Sequence, residues 1–311
     1  MTMYVEKKPC DVKNYCFGMK CFLSAREALK ETLQAYCDTE DYTIILPGYI
    51  GWSPKEGSGI YDPINELGIR CEFYSFTQQL VIDIDKLKCL LKTIEGRKVI
   101  LLVHYFGYVD PNYMKIISLL KNEGVFIIED AAHALYTHLI DNRCGLGDCI
   151  LYSFHKMLPF HNGGAVCTKY VEEQWWNNIK EKKEVYHYPF YKYDLKKIAD
   201  KRKENAAYWE ELLQENSRVE ILREAVVYRN QTPQTFPVLL NNLDRYKVYR
   251  EMNRSGYGII SLYHTMIKPI VELDDTIIKG IADRIINFPV HQDIGKTEIK
   301  RMYEEFERII S

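Results

Sequence analysis

The sequence predicts an α/β protein. Its large domain has a mainly parallel central sheet flanked by helices, and a smaller α+β domain follows at the C-terminus. Two observations carry this reading. Six short apolar runs between residues 43 and 168 alternate with helical patterns, which is the order of a sheet covered on both faces. After Thr168 the chain becomes charged and aromatic, then helical, with only two further strand patterns.

The first helix is read over Ala25 to Tyr36, where Ala25, Ala28, Leu29, Leu33 and Tyr36 recur at helical spacing behind Ser24, a natural N-cap. Buried-strand patterns follow: TIIL (43–46), CEFYSF (71–76), VILLV (99–103), VFII (125–128), CILYSF (149–154) and AVCT (165–168). IDKLKCLLKTI and YMKIISLLKN are helical between them. The stretch DLKKIADKRKENAAYWEELLQEN reads as a long amphipathic helix bridging two domains, 1–195 and 196–311. TFPVLL (235–240) and IINFPV (285–290) read as strands of the smaller domain.

Composition narrows the function classes. The 311 residues carry 41 basic and 43 acidic side chains, and no basic stripe suggests a nucleic-acid or membrane partner. The nine cysteines are scattered. Cys144 and Cys149 form a suggestive pair, but no second pair completes a zinc site, so no metal is expected. MTMYVEKKPCDVKNYC lacks the apolar core of a signal peptide, and no apolar stretch reaches spanning length. A soluble, cytoplasmic protein with reduced thiols is expected.

The chemistry concentrates on Lys156. It lies in LYSFHKMLPFHNGG, twenty-six residues after Asp130, which ends the apolar run VFIIED. A strand ending on an acid, then Ser153-x-x-Lys156 leading to Gly163-Gly164, is the layout of a pyridoxal phosphate (PLP) site. Lys156 would hold the cofactor aldehyde as a Schiff base, and its freed amine would shuttle a proton during turnover. Asp130 would face the pyridine nitrogen and keep it protonated. As an alternative, Asp130 caps the helix of AAHAL.

The ordered motifs resemble the DegT/StrS-type aminotransferases, PLP enzymes of fold-type I, in a shortened and divergent form. Ser24-Ala25-Arg26 stands where that family has a small-residue phosphate turn. IILPGY resembles its strand-plus-proline element, LLVHYFGYVD its VHxxG segment, and IIEDAAHAL its EDAA(Q/H) element. LGDCILYSFHK…NGGAVCT resembles the lysine element, and RIINFPVHQDIGKTEIKRM the closing segment. Counting back from Gly163-Gly164 restores the family interval to Lys156, while Ser153 stands closer to the lysine than is usual.

The resemblance implies the remaining site residues. The N-terminus of the first helix suits a dianionic phosphate. There Arg26, where the family has a small residue, either clamps the phosphate or pairs with an acid. His133 matches the family Gln/His and would bond the ring hydroxyl of PLP, or is a structural histidine. Trp52 would stack on the cofactor ring, with Tyr49 the other candidate. His104 matches VHxxG without a chemical role.

By resemblance the reaction is an amino transfer from glutamate to a nucleotide-linked keto sugar, in glycan or secondary-metabolite biosynthesis. Retention of the lysine separates the chain from the lysine-less dehydratases of the family. Elimination or other carbanion chemistry, and a non-catalytic PLP or sugar-nucleotide sensor, are the alternatives. The resemblance also implies a homodimer with shared sites. The asparagine with which family members reach the partner cofactor has no counterpart between residues 169 and 195. Either Tyr186 to Tyr193 replaces it or the intersubunit contact differs; the aromatic-rich segment 174–193 lies where the partner-reaching loop is expected.

Overall fold

A computed structural model of the chain describes residues 18–37, 41–181, 192–223 and 228–311. The chain is mixed α/β. A seven-stranded sheet has the order β3-β2-β4-β5-β6-β7-β1. The strands are β1 (Gly18–Phe22), β2 (Tyr42–Pro47), β3 (Arg70–Tyr74), β4 (Arg97–Val103), β5 (Phe126–Asp130), β6 (Cys149–Ser153) and β7 (Gly164–Thr168). Strands β3, β2, β4, β5 and β6 pair parallel, while β7 runs antiparallel to both β6 and β1. All six apolar runs are strands of this sheet; five are near-continuously buried, as strands covered on both faces are, while the edge strand β3 exposes Arg70 and Glu72.

Helix α1 (Ala25–Tyr36) starts at Ser24, whose hydroxyl accepts from the Glu27 N–H, and buries Ala28, Leu29 and Leu33. The other helices beside the large sheet include α2 (Tyr61–Leu67), α3 (Ile84–Thr93), α4 (Tyr113–Asn122), α5 (Leu135–Leu139) and α6 (Gln174–Asn178). In α3 and α4 the buried side chains fall on one stripe, Leu87 and Leu91 in one, Ile116, Ile117 and Leu120 in the other.

The long helix α7 (Leu195–Leu213) joins two cores. Leu195 and Ala199 pack with the large sheet, whereas Ala206, Trp209 and Leu213 pack with a second, antiparallel sheet. That sheet has the order β10-β9-β8, from β8 (Val219–Ile221), β9 (Thr235–Leu240) and β10 (Ile285–Pro289). Helices α8 (Arg245–Arg254) and α11 (Lys296–Ile310) cover it, with α9 (Lys268–Glu272) and α10 (Thr276–Arg284) between them in the chain. Trp209 stacks on Phe288 at 4.2 Å, and its indole N–H donates to the Pro289 carbonyl. The Asn205 amide donates to the carbonyls of Val290, His291 and Ile294. The closing segment of the family pattern therefore serves α7 here.

Candidate active site

The register of the large sheet sets three side chains abreast at the carboxyl ends of its strands. Val103 pairs with Asp130, and Asp130 with Leu151. All three line one cavity of about 720 Å³, the position where open parallel sheets place ligands. The turn after β6 adds Ser153, His155 and Lys156, and the loop after β5 adds Ala132 and His133. The start of α1 contributes Ser24, Ala25 and Arg26, and the loop after β2 contributes residues 50–53 and 55–60, Trp52 among them.

Two glycines bring these parts together. The Gly163 N–H donates to the Leu23 carbonyl, and the Gly163 carbonyl accepts from the Phe154 N–H. Gly163 has φ of +115°, which a side chain would strain. Gly164 passes so close to α1 that a Cβ there would lie 2.2 Å from the Ala25 nitrogen. The lysine turn and the N-terminus of α1 are thus fastened to the same pair of residues. Helix α1 has twelve residues, so its first-turn N–H groups and dipole offer a place for an anion.

Asp130 accepts from the Ala132 N–H through Oδ1, and no described residue donates to Oδ2. Burial raises its pKa, against the opposing Lys156 charge and the Ala132 hydrogen bond. A carboxylate so placed is costly until a cation meets it. Lys156 lines the cavity from its open side, where the residue is exposed. Desolvation there lowers its pKa from the usual amine value, with Asp130 and Glu56 opposing. Its Nζ lies 3.3 Å from Nε2 of His133, which is 4% exposed. Burial, then the Lys156 charge, hold the His133 pKa well below that of an ordinary imidazole.

The donor set fits PLP: an N-terminal helix turn for phosphate, a carboxylate for a ring cation, and an amine for an aldehyde. Arg26 lines the cavity and also meets an acid. Its guanidinium lies 3.5 Å from Asp62 and donates to the Glu56 carbonyl, so it ties α1 to the loop after β2. Trp52 lines the cavity at 44% exposure, whereas Tyr49 is buried beside it. Ser153 lies 3.4 Å from the His155 ring.

Tyr263 is a cavity residue that sequence reasoning missed. It sits on a strap, residues 261–267, running from the smaller sheet across the cavity. The Tyr49 hydroxyl donates to the Leu262 carbonyl and accepts from the Tyr263 N–H. Trp52 and Thr265 exchange two further bonds, and the Ile267 N–H donates to Ile50. The Tyr263 ring lies 6.4 Å from that of His133, nearly parallel to it. No short-range motif marks Tyr263 among the 24 tyrosines of the sequence.

His104 has a structural partner in Glu129, at 2.7 Å. Glu129 also accepts from the Tyr113 hydroxyl and from the N–H groups of Gly145 and Gly147. With Cys144 these residues form a compact buried cluster, but the carboxylate oxygens are already engaged. The segment 182–191, which holds most of the candidate Tyr186–Tyr193 replacement, lies outside the described residues. Among the described residues no helix is long and apolar enough to cross a membrane.

Comparison with known proteins agrees with this geometry. The sequence profile of the DegT/DnrJ/EryC1/StrS aminotransferase family matches residues 61–179. The spore coat polysaccharide biosynthesis protein SpsC of Bacillus subtilis is 33% identical over 90 residues, a stretch spanning 28% of this chain and 23% of SpsC. A DegT DnrJ EryC1 StrS aminotransferase from Brucella abortus superposes with a TM-score of 0.75 at 15% identity, covering 95% of this chain and 87% of that one. PseC of Helicobacter pylori, an aminotransferase involved in pseudoaminic acid biosynthesis, gives 0.73 at 16% identity, with 94% and 86% covered. At such identities the structures show a shared fold. Over residues 61–179 the chain thus matches the DegT/DnrJ/EryC1/StrS aminotransferase family, and the described chain shares its fold with these structures.

Proposed function

We propose that the protein is a PLP-dependent aminotransferase that moves an amino group from glutamate to a nucleotide-linked keto sugar, in the synthesis of a cell-surface glycan or a secondary metabolite. The observation that carries this reading is the convergence of Asp130 and Lys156 on one cavity that the N-terminus of α1 also enters. Bound PLP would supply an electron-withdrawing ring that stabilises negative charge on the substrate carbon.

The chain supplies the rest. Ser24, Ala25 and Ser153 would hold the phosphate, and Arg26 would brace that turn through Asp62. Asp130 would hold a proton at the ring nitrogen, and Lys156 would move protons at the substrate carbon. His133 would face the ring hydroxyl, and Trp52 would wall the cavity. The cavity volume exceeds what one small cofactor fills, which supports a large acceptor.

The reading includes a large domain over 1–195, a small one over 196–311, and a cytoplasmic homodimer. Leu23 and Trp52, at 47% and 44% exposure, leave apolar surface near the cavity that a second copy would cover. Absorbance on PLP addition, followed by conversion with glutamate and a screen of keto sugars, tests the assignment. Cofactor uptake without amino transfer, but with loss of a hydroxyl from the sugar, would move the chain to elimination chemistry.

A further inference from the structure

The turn after β4 is backbone under strain at a buried site. Phe106, fully buried, has φ of +60°, a left-handed conformation costly for a residue with a Cβ. Gly107 follows with φ of +93°, and a Cβ there would meet the Thr232 carbonyl at 2.5 Å and the His133 carbonyl at 3.1 Å. The Phe106 carbonyl accepts from the Gln234 N–H at 2.7 Å, which braces the turn from the smaller sheet. This conformation aims the Phe106 N–H at Nδ1 of His133, 3.3 Å away.

An imidazole nitrogen that accepts a hydrogen bond carries no proton. His133 is therefore neutral, with its one ring proton on Nε2. That nitrogen faces Nζ of Lys156 at 3.3 Å. An ammonium there would set N–H against N–H. A free amine instead offers its lone pair to the imidazole donor.

We propose that His133 is a positioning residue that holds the Lys156 side chain as a free amine, its tautomer fixed by the strained turn at Phe106. Resting on the assignment of Lys156 as the reactive amine, this adds a task that His133 performs when no cofactor is bonded to the lysine. It also gives the VHYFG turn a function in the site. The other groups facing Lys156 act in known directions. Asp130 from β5 and Glu56 from the loop after β2 favour its ammonium form. His155, on the lysine turn, lies in the same cavity.

The test needs no bound cofactor. In the apoprotein, trinitrobenzenesulfonate labelling of the Lys156 peptide, followed by mass spectrometry across pH, reports the fraction of free amine. His133→Leu removes the donor. Its half-point should rise by about one pH unit, which is about tenfold less labelling near neutrality. His133→Gln, whose amide N–H can donate, should recover most of that loss. An unchanged or lower half-point in His133→Leu would overturn the proposal. Nitrogen-15 spectra of the wild-type histidines decide the question without any variant: an Nε2-protonated, neutral His133 supports it, and an Nδ1-protonated or charged ring refutes it. The cofactor assignment fails separately, if wild-type protein incubated with PLP and borohydride retains label on no lysine.

Discussion

Gly164 on β7 and Ser24 at the cap of α1 are so close that a Cβ on the glycine would lie 2.3 Å from the Ser24 carbonyl carbon. Backbone cannot yield there as a flexible side chain would. Gly164→Ala should force α1 away from the lysine turn, at about 1–3 kcal/mol of stability. Thermal melting and PLP titration should fall together. A variant with unchanged melting and affinity would show that the close approach is unimportant.

Lys156 carries the strongest assignment. Borohydride reduction of PLP-treated protein should attach the cofactor to the Lys156 peptide. Lys156→Ala should lose turnover by about a thousandfold, the range for removing a proton-transfer group. Label on another lysine in saturated protein would displace the assignment.

Asp130 should set stability against function. Burial raises its folded pKa, so its stabilising contribution is full below its ordinary range and is lost as pH rises through the folded value. Above the ordinary carboxylate range the buried Asp130 of the apoprotein is therefore a cost to stability. Asp130→Asn should therefore melt about 2–4 °C higher without cofactor. Conversion by a working amino donor should drop at least about a hundredfold. Near wild-type conversion would leave Asp130 as a helix cap.

Glu129 predicts acid sensitivity. Burial alone would raise its pKa, but the His104 bond and charge and the Gly145 and Gly147 N–H groups outweigh it and bring it to about 2. Because the folded pKa is depressed, the stabilisation is present above the ordinary value of 4.5 and is lost as pH falls toward about 2. Wild-type melting temperature should decline across that window, and Glu129→Gln should flatten the decline while lowering stability at neutral pH. A wild-type curve level from pH 5 to 3 would contradict the pairing.

Dilution tests assembly. A homodimer with shared sites should lose PLP absorbance as light scattering reports monomer. A monomer that retains cofactor and full turnover would refute the shared site.

Long apolar runs made the large sheet legible, since strands buried on both faces need no partner to be recognised. Two strands escaped for physical reasons. Gly18–Phe22 is an edge strand in which Gly18 and Lys20 break the apolar pattern, and Val219–Ile221 is three residues long with only Val219 buried. Residues near Lys156 in sequence were readable because the strand register carries them into the cavity. Arg26 was not, because Asp62 lies thirty-six positions away and only the fold brings it near. Tyr49 and Trp52 looked equivalent in sequence. The structure separates them, Trp52 toward the cavity and Tyr49 onto the strap.

The strap has a consequence for cooperativity. Residues 261–267 bond to the chain after β2 on one side. On the other, Ile260 and Leu262 bond to Asn287 of β10. The cavity is therefore a joint between the halves of the molecule, not a property of the larger sheet. Melting of the smaller sheet would remove a wall and the brace on Phe106 at once. Excised fragments ending before this strap would carry Lys156 and Asp130 without a closed cavity. Ligand retention should thus report on the folding of residues that never touch the ligand.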